Sequence, residues 1–294
     1  MLYDIALSIE YDYENPAGSS RHVVRLMPAD LPGEQRLIAG SMTVLPEADE
    51  IRHFADFFDN GAAEVSFVVP HDRIVFCVTA RVERPGVTAR FDTSLEKARL
   101  ADALKRVLDL GPASPHHFTA GSPLAPLVPE VADFARAVLT PSMSVFESIA
   151  AIGRAIHAGF AYEEGATTVD TPMIEAFRSR SGVCQDFSHI MISALRGVGI
   201  PAGYVSGFLR TLPPDGQERL EGADAMHAWV RAWCGPDMGW VEYDPTNALV
   251  VGADHIVVAR GRDYADVAPV KGVMRSVGGH STAHKVDVVP VGGR

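Results

Sequence analysis

Three residues that lie far apart in the chain, Cys184, His227 and Asp244, have the types that nucleophilic thiol chemistry requires. A thiol attacks a carbonyl carbon when a base takes its proton, and an imidazole serves as that base when a carboxylate fixes its tautomer. Each residue also has a simpler explanation, because a free cysteine is most often a small buried side chain and a strand histidine is most often half-buried. Their order in the chain favours a catalytic site, although the same order occurs on unrelated folds.

The segment around Cys184 predicts a helix. Apolar side chains recur at steps of three and four residues from Val183 to Val198, and Gly199 and Pro201 end the pattern. Cys184 falls in the first turn, where unpaired backbone N–H groups and the positive end of the helix dipole stabilise an anion. We therefore expect this thiol to ionise more readily than a free cysteine.

The other two candidate residues lie on a predicted β-hairpin. Residues 224–234 alternate between small apolar side chains and larger polar or aromatic ones, which is typical of a strand. After Gly235 and Pro236 the chain returns as a second strand over residues 240–244. This pattern therefore predicts a hairpin whose two strands are neighbours in an antiparallel sheet.

A hairpin that is symmetric about the bond between residues 235 and 236 pairs residues whose numbers add up to 471. His227 and Asp244 then lie directly opposite each other, which suits an imidazole N–H that donates to a carboxylate. The same register pairs Arg231 with Trp240 and Trp229 with Glu242.

Four segments contain these residues or flank them: 182–187, 199–207, 226–229 and 240–247. Together they resemble the core of the bacterial transglutaminase-like superfamily, whose members are often described as cysteine proteases. Position by position, the resemblance implies that Cys184 is the nucleophile, His227 the base and Asp244 the acid that orients the base. It also implies a papain-like α+β core, in which the helix that carries the cysteine packs on an antiparallel sheet.

Residues 1–85 are predicted to form strands, because short apolar runs alternate with polar residues between Pro, Gly and Asn breaks. Such short strands suggest a sandwich or an open barrel, with a turn at residues 15–18. Residues 11–13, 25–28 and 57–60 resemble the N-terminal region that accompanies this bacterial family. We therefore expect a mainly antiparallel β-domain before the catalytic core.

Amphipathic periodicity predicts a helix over residues 94–109, and a connection rich in Pro, Ser and His follows it. We therefore expect a β-domain with its connecting helix over 1–111, a linker over 112–129 and a catalytic domain over 130–294. Helices are predicted over 130–139, after Ser144 with Glu147 as a capping box, and from Thr171 and Pro172. The catalytic sheet is expected to include the strands in 254–264 and 285–291.

A tetrahedral intermediate needs donors for its oxyanion, and the backbone N–H of Cys184 is the first candidate. Tyr162 is a candidate for the second donor, because its segment is similar to an aromatic segment that the family places before the cysteine. Gln185 is another candidate. Trp229 and Trp240 are candidates for cleft walls, with packing in the core as the alternative.

The composition argues against several other classes of protein. The 294 residues are 47% hydrophobic and carry a net charge of −11 with scattered basic residues, so nucleic acid and anionic membranes are not expected partners. The three cysteines are widely separated and no Cys-x-x-Cys pair occurs, so we expect neither a disulfide framework nor a metal site.

No Gly-rich phosphate loop occurs, so no cofactor is expected. No apolar run approaches ~20 residues and no signal-like start is visible, which predicts a cytoplasmic protein.

Three functions remain open at this point. The first is hydrolysis of an amide bond in a protein, a peptide or a small molecule, through a thioester on Cys184. The second is a transglutaminase, in which a lysine amine replaces water as the acceptor. The third is an interaction module without catalysis. The sequence ranks hydrolysis first, because it has no evident feature for binding lysine, and it leaves the oligomeric state open.

Overall fold

The structure is a computed structural model that describes residues 1–86, 91–211, 222 and 224–292. Two large antiparallel sheets and a set of helices make up these residues, and one hydrophobic core runs through both sheets and the helices. Within the described residues, no helix is long and apolar enough to span a bilayer.

The first sheet has seven strands, and most of them come from the N-terminal part of the chain. Five strands follow one another in the chain, and two come from its C-terminal part: β1 (Leu2–Val24), β2 (Arg36–Leu45), β3 (Glu50–Ala55), β4 (Gly61–Phe67), β5 (His71–Glu83), β13 (Val270–Arg275) and β14 (His280–Pro290). The order β2-β5-β1-β4-β3 makes β1 the central strand, and β13 and β14 pair with it as well. The predicted antiparallel β unit at the N-terminus is therefore present.

Strand β1 is one strand of 23 residues, so the predicted turn at residues 15–18 is wrong. The pairing of β1 is irregular between Asp12 and Ala17 and again between Gly18 and Arg21. Such bulges bend a strand and increase its twist without ending it. The Asn, Pro and Gly residues in this stretch mark a bend, after which β1 passes from β5 to β4.

The placement of residues 285–291 in the catalytic sheet is also wrong. Strand β14 pairs with β1, from Tyr3 opposite Pro290 to Tyr13 opposite His280. Val286 and Val288 on β14 are fully buried and extend the apolar face of the first sheet. Among the described residues the two sheets share no strand. The domain boundaries at 1–111, 112–129 and 130–294 stay predictions.

Five helices follow the predicted pattern, with their ends shifted by a few residues: α1 (Lys97–Lys105), α2 (Pro129–Val138), α3 (Val145–Gly159), α4 (Met173–Ser179) and α5 (Cys184–Gly197). A short helix that was not predicted, α6 (Tyr264–Val267), begins at the last residue of the predicted strand 254–264. The capping box at the start of α3 is confirmed. Ser144 Oγ accepts from the Glu147 backbone N–H at 3.0 Å, and Glu147 Oε2 accepts from the Ser144 backbone N–H at 2.8 Å.

The second sheet has five strands in the order β11-β10-β9-β8-β12. Its members are β8 (Ala202–Leu209), β9 (Ala225–Trp233), β10 (Trp240–Asp244), β11 (Leu249–Val250) and β12 (His255–Gly261), and a separate parallel pair joins β6 (Ala161–Tyr162) to β7 (Ser181–Gly182). Helix α5 packs on β8 and β9. The predicted α+β core, in which the helix that begins with the cysteine packs on an antiparallel sheet, is confirmed.

The hairpin of β9 and β10 has a different register from the predicted one. Trp240 pairs with Trp233 and Glu242 with Arg231, so partner numbers add up to 473. The loop is longer than a two-residue turn, because Cys234 N donates to Gly239 O at 2.8 Å and Gly239 N donates to Gly235 O at 2.8 Å. A shift of two residues leaves every side chain on its predicted face, since side chains alternate with a period of two.

Candidate active site

Cys184 is the first residue of helix α5, as predicted. The carboxylate of Asp186 in the same turn accepts from the backbone N–H of Val183 at 2.9 Å and from Thr167 Oγ1 at 2.6 Å. Gly182 is required for this packing, because a Cβ atom there would lie 2.6 Å from Asp186 Oδ2. Hydrogen bonds from Val183 and Thr167 to Asp186 therefore hold the first turn of α5 in place. The thiol lies beside backbone N–H groups that favour a negative charge.

His227 on β9 and Asp244 at the end of β10 are buried and hydrogen-bonded to each other, with 2.8 Å between His227 Nε2 and Asp244 Oδ2. An ionised carboxylate only accepts hydrogen bonds, so Nε2 of His227 carries the proton in this bond. In the observed register, Asp244 is displaced by two residues from the position opposite His227, so the two residues lie diagonally across the hairpin. The diagonal distance remains within reach of these side chains.

Asp244 accepts further hydrogen bonds from the turn that follows it. Oδ1 accepts from the backbone N–H groups of Thr246 and Asn247 at 2.8 and 3.2 Å, and Oδ2 accepts from Asn247 Nδ2 at 2.7 Å. Burial alone would raise the pKa of Asp244, but hydrogen bonds led by those from His227 and His255 outweigh it and hold that pKa well below its usual range. The carboxylate is therefore ionised and held in one orientation.

The other ring nitrogen of His227 is left for Cys184, which lies close enough to the imidazole to raise its pKa. Burial disfavours the imidazolium, but hydrogen bonds to Asp244 and Cys184, together with their negative charges, raise the pKa of His227 to about 10. The structure thus brings the three predicted residues together in the order Cys184, His227, Asp244. Chemically, the arrangement suits a thiolate beside an imidazolium.

His255, at the start of β12, is a residue of this site that the sequence analysis missed. Its Nε2 lies 3.0 Å from Asp244 Oδ2, and its ring packs edge-on against Trp229 with 5.1 Å between centroids. The sequence marked residues 254–264 as a strand of this sheet, but it did not reveal which strand lies beside β8. That pairing places His255 at the end of the sheet where Asp244 lies.

The side chains of His227, Asp244 and His255 are of the types that bind zinc, and their ligand atoms lie within 4.8 Å of one another. Both imidazoles point Nε2 at the same carboxylate oxygen, at 2.8 and 3.0 Å, which are hydrogen-bond distances. Since Nε2 of each ring donates to Asp244, neither atom offers a lone pair to a metal. The arrangement therefore suits a hydrogen-bonded chain better than a metal site.

The two side-chain candidates for the oxyanion site differ in their surroundings. Tyr162 is half-exposed, and strand pairing places it beside Gly182, two residues before Cys184. Partial burial and the neighbouring negative charge of Cys184 raise the pKa of Tyr162, so its hydroxyl keeps its proton. The amide nitrogen of Gln185 lies 3.5 Å from the carbonyl oxygen of Val169. Their roles as oxyanion donors stay predictions.

The assignment of Trp229 and Trp240 as cleft walls is wrong. Trp229 is fully buried and lies in a small apolar cluster with Val205, Val251 and Val257, so it offers no surface to a substrate. Trp240 pairs with Trp233, six positions along β9 from His227, which corresponds to about 20 Å at the usual strand rise. Its ring packs on Phe118 and under the Arg231 guanidinium, 4.0 Å from the ring centroid.

Comparisons with known proteins agree with this architecture. Residues 132–245 match the Transglutaminase-like superfamily, and residues 3–83 match the Bacterial transglutaminase-like N-terminal region. An uncharacterized protein of Mycobacterium tuberculosis is 34% identical over 310 residues, covering 99% of this chain and 93% of that protein. One of Mycobacterium leprae is 30% identical over 286 residues, covering 96% and 95%.

The crystal structure of a "Putative Cysteine Protease" from Cytophaga hutchinsonii has the same fold, with a TM-score of 0.80 at 22% sequence identity. The likeness covers 100% of this chain and 92% of that one, so it includes both sheets. Together with the matches to the two family regions, these relatives establish that the chain belongs to the transglutaminase-like superfamily.

Proposed function

We propose that this protein is a thiol enzyme that cleaves amide bonds by way of a thioester on Cys184, and that water is the acceptor of the acyl group. One observation carries the proposal: a buried imidazole hydrogen-bonds through Nε2 to an ionised Asp244 and lies beside a cysteine at the start of a helix, close enough for that cysteine to raise the pKa of the imidazole. Cys184 is only partly buried, as a reactive cysteine must be if a substrate is to reach it.

In the acylation step, the thiolate of Cys184 forms a bond to the amide carbon, and the carbonyl electrons move to oxygen. The backbone N–H of Cys184, in the first turn of α5, is the proposed donor to this oxyanion. The C–N bond then breaks, and the His227 imidazolium gives its proton to the departing amine. Asp244 stays ionised throughout, because its pKa is held far below that of an imidazole.

In the second step, His227 takes a proton from water, and the water oxygen attacks the thioester carbon. The C–S bond breaks, the thiolate of Cys184 returns and a carboxylic acid leaves. A primary amine that attacks in place of water gives a new amide bond, so the acceptor alone distinguishes a hydrolase from a transglutaminase.

The test is turnover of a library of fluorogenic amide and peptide substrates by the wild-type protein and by Cys184→Ala. Cys77→Ala is the matched control, because Cys77 is a free cysteine on β5 in the other sheet. We expect Cys184→Ala to abolish turnover and Cys77→Ala to retain it. Turnover that survives in Cys184→Ala would overturn the proposal.

Mass spectrometry of the products then identifies the acceptor. A free acid formed in the presence of excess labelled primary amine supports hydrolysis, and incorporation of the label identifies a transglutaminase. A protein that turns over no substrate and whose Cys184 reacts with iodoacetamide like an ordinary thiol at every pH is an interaction module.

A further inference from the structure

Asp244 receives hydrogen bonds from two buried imidazoles at one oxygen atom. His227 Nε2 and His255 Nε2 lie 2.8 and 3.0 Å from Asp244 Oδ2, and the two ring centroids are 6.0 Å apart. A catalytic triad needs one imidazole beside its carboxylate. The second imidazole approaches the carboxylate from β12, on the far side of β8 from β9.

The surroundings of His255 determine which form of its ring fits. Nδ1 of His255 is buried and has no hydrogen-bond partner among the described residues. A charged ring would bury an N–H group there without an acceptor, which costs more than an unpaired lone pair. The geometry therefore favours the tautomer of His255 that donates from Nε2 to Asp244 and leaves the lone pair at Nδ1.

Contacts on both sides of His255 fix its position. Its ring packs edge-on against Trp229, at 5.1 Å between centroids. The preceding residue, Asp254, accepts at Oδ1 from Tyr3 Oη at 2.9 Å and from Arg210 at 3.2 Å. Tyr3 is fully buried on β1, so the first sheet also restrains the strand that carries His255.

We propose that His255 is a positioning residue that holds the Asp244 carboxylate in the orientation that His227 requires, an inference that rests on the proposed thiol chemistry. Donation from His255 fixes Oδ2, the atom to which His227 also binds. When this donor is lost, Oδ2 is held, among the described residues, only by His227 and Asn247, the carboxylate can shift, and His227 loses its alignment with Cys184. A misplacement of about 1 Å in such a group lowers the rate by as much as about a hundredfold.

The test compares His255→Phe, which keeps a ring and removes the donor, with His255→Gln, which keeps an N–H donor at a similar reach. We expect kcat to fall about tenfold to a hundredfold in His255→Phe with little change in KM, and most of that loss to be restored in His255→Gln. Melting temperatures are measured for both variants. If His255→Gln is as slow as His255→Phe while both are equally stable, the donor role is overturned.

A double-mutant cycle separates positioning from a general structural effect. If His255 acts through Asp244, His255→Phe should lower the rate of an Asp244→Asn enzyme by no more than about twofold. Equal factors in the two backgrounds would mean that the two residues act independently, and would overturn the proposal.

A third measurement needs no substrate. The proton on His227 Nε2, bonded to a carboxylate, should give a far-downfield NMR resonance, identified by its loss in His227→Gln. We expect it to move upfield or broaden in His255→Phe and to remain in His255→Gln. A resonance that is unchanged in His255→Phe overturns the positioning role. If wild-type turnover proves independent of Cys184, the proposed function fails. The resonance still shows in that case whether His255 holds the hydrogen bond between His227 and Asp244.

Discussion

Trp229 Nε1 donates a hydrogen bond of 3.0 Å to Glu242 Oε2, and its ring lies 6.2 Å from that of His227. Glu242 also receives the guanidinium of Arg260, 3.0 Å from Nε to Oε1, and that of Arg84 at 3.5 Å. Burial would raise the pKa of Glu242, but these arginines outweigh it and lower that pKa to about 2. The neighbours of the imidazole are therefore held by a buried cluster of charges.

Glu242→Gln should lower the free energy of unfolding by about 3 kcal/mol or more, because it leaves the buried guanidinium of Arg260 without this carboxylate. Urea unfolding at pH 7 measures the change. Glu83→Gln is the control, since Glu83 pairs with Arg36 on the surface and such a pair contributes less than about 1 kcal/mol. Equal losses in the two variants would contradict the assigned role of the cluster.

The same variant should change how stability depends on pH. The pKa of Glu242 is lower in the folded state than in the unfolded chain, so its stabilisation is complete above about pH 4.5 and declines as the pH falls towards about 2. Urea midpoints between pH 5 and pH 3 should therefore fall less steeply for Glu242→Gln than for the wild type. Parallel curves would refute this prediction.

Asp244→Asn should keep the fold and lower kcat by about a hundredfold or more, because an amide no longer fixes the tautomer of His227 or stabilises its charge. Steady-state kinetics measure kcat and KM separately. Asp237→Asn changes an exposed carboxylate in the loop of the same hairpin and should leave both constants unchanged. A rate for Asp244→Asn within a few-fold of that of Asp237→Asn would remove Asp244 from the mechanism.

The pH dependence of kcat/KM should be bell-shaped, with a basic limb well above the ordinary pKa of histidine, because the pKa of His227 is raised to about 10. The limbs belong to the Cys184 and His227 pair as a unit. A basic limb near 6.5 would show that the imidazolium is not stabilised.

The same pKa shift of His227 affects folding stability. The pKa of His227 in the folded state lies above the unfolded value of about 6.5, so the imidazolium stabilises the fold fully below pH 6.5. This contribution is lost as the pH rises towards 10.

Gly207→Ala should destabilise the protein by about 3 kcal/mol, because a Cβ atom would lie 2.1 Å from the Ile256 carbonyl oxygen and 2.5 Å from the Trp229 ring. Gly207 pairs with His227, so the strain should also reduce the rate. Thermal unfolding and kcat measure the two effects. Gly61→Ala is the matched control, since nothing lies within 4 Å of its added Cβ, and similar losses in both variants would rule out a steric cause.

Local patterns predicted helix α5, the capping box of α3 and the two strands of the hairpin, because short-range spacing determines all three. The same patterns missed the register of the hairpin, since the loop closes through hydrogen bonds between Cys234, Gly235 and Gly239. The error was two residues, and a period of two returns His227 and Asp244 to one face. The pair was therefore predicted correctly from an incorrect register.

Contacts that depend on long-range pairing could not be predicted. No local signal indicates that β12 lies beside β8, and His255 was missed for that reason. Likewise, β14 has the same alternating pattern as a strand of the second sheet, and its partner β1 lies almost the full length of the chain away. The domain boundaries and the cytoplasmic location stay predictions.

The pairing of β1 with β14 has a consequence for biosynthesis. Strand β1 leaves the ribosome long before residues 280–290, and it gains this neighbour only when they have been synthesised. At about 5 to 20 residues per second, that wait lasts on the order of half a minute. During it, the edge of β1 that β14 later covers is open to other nascent strands. Translation speed and chaperones that shield strand edges should therefore affect the yield of this protein.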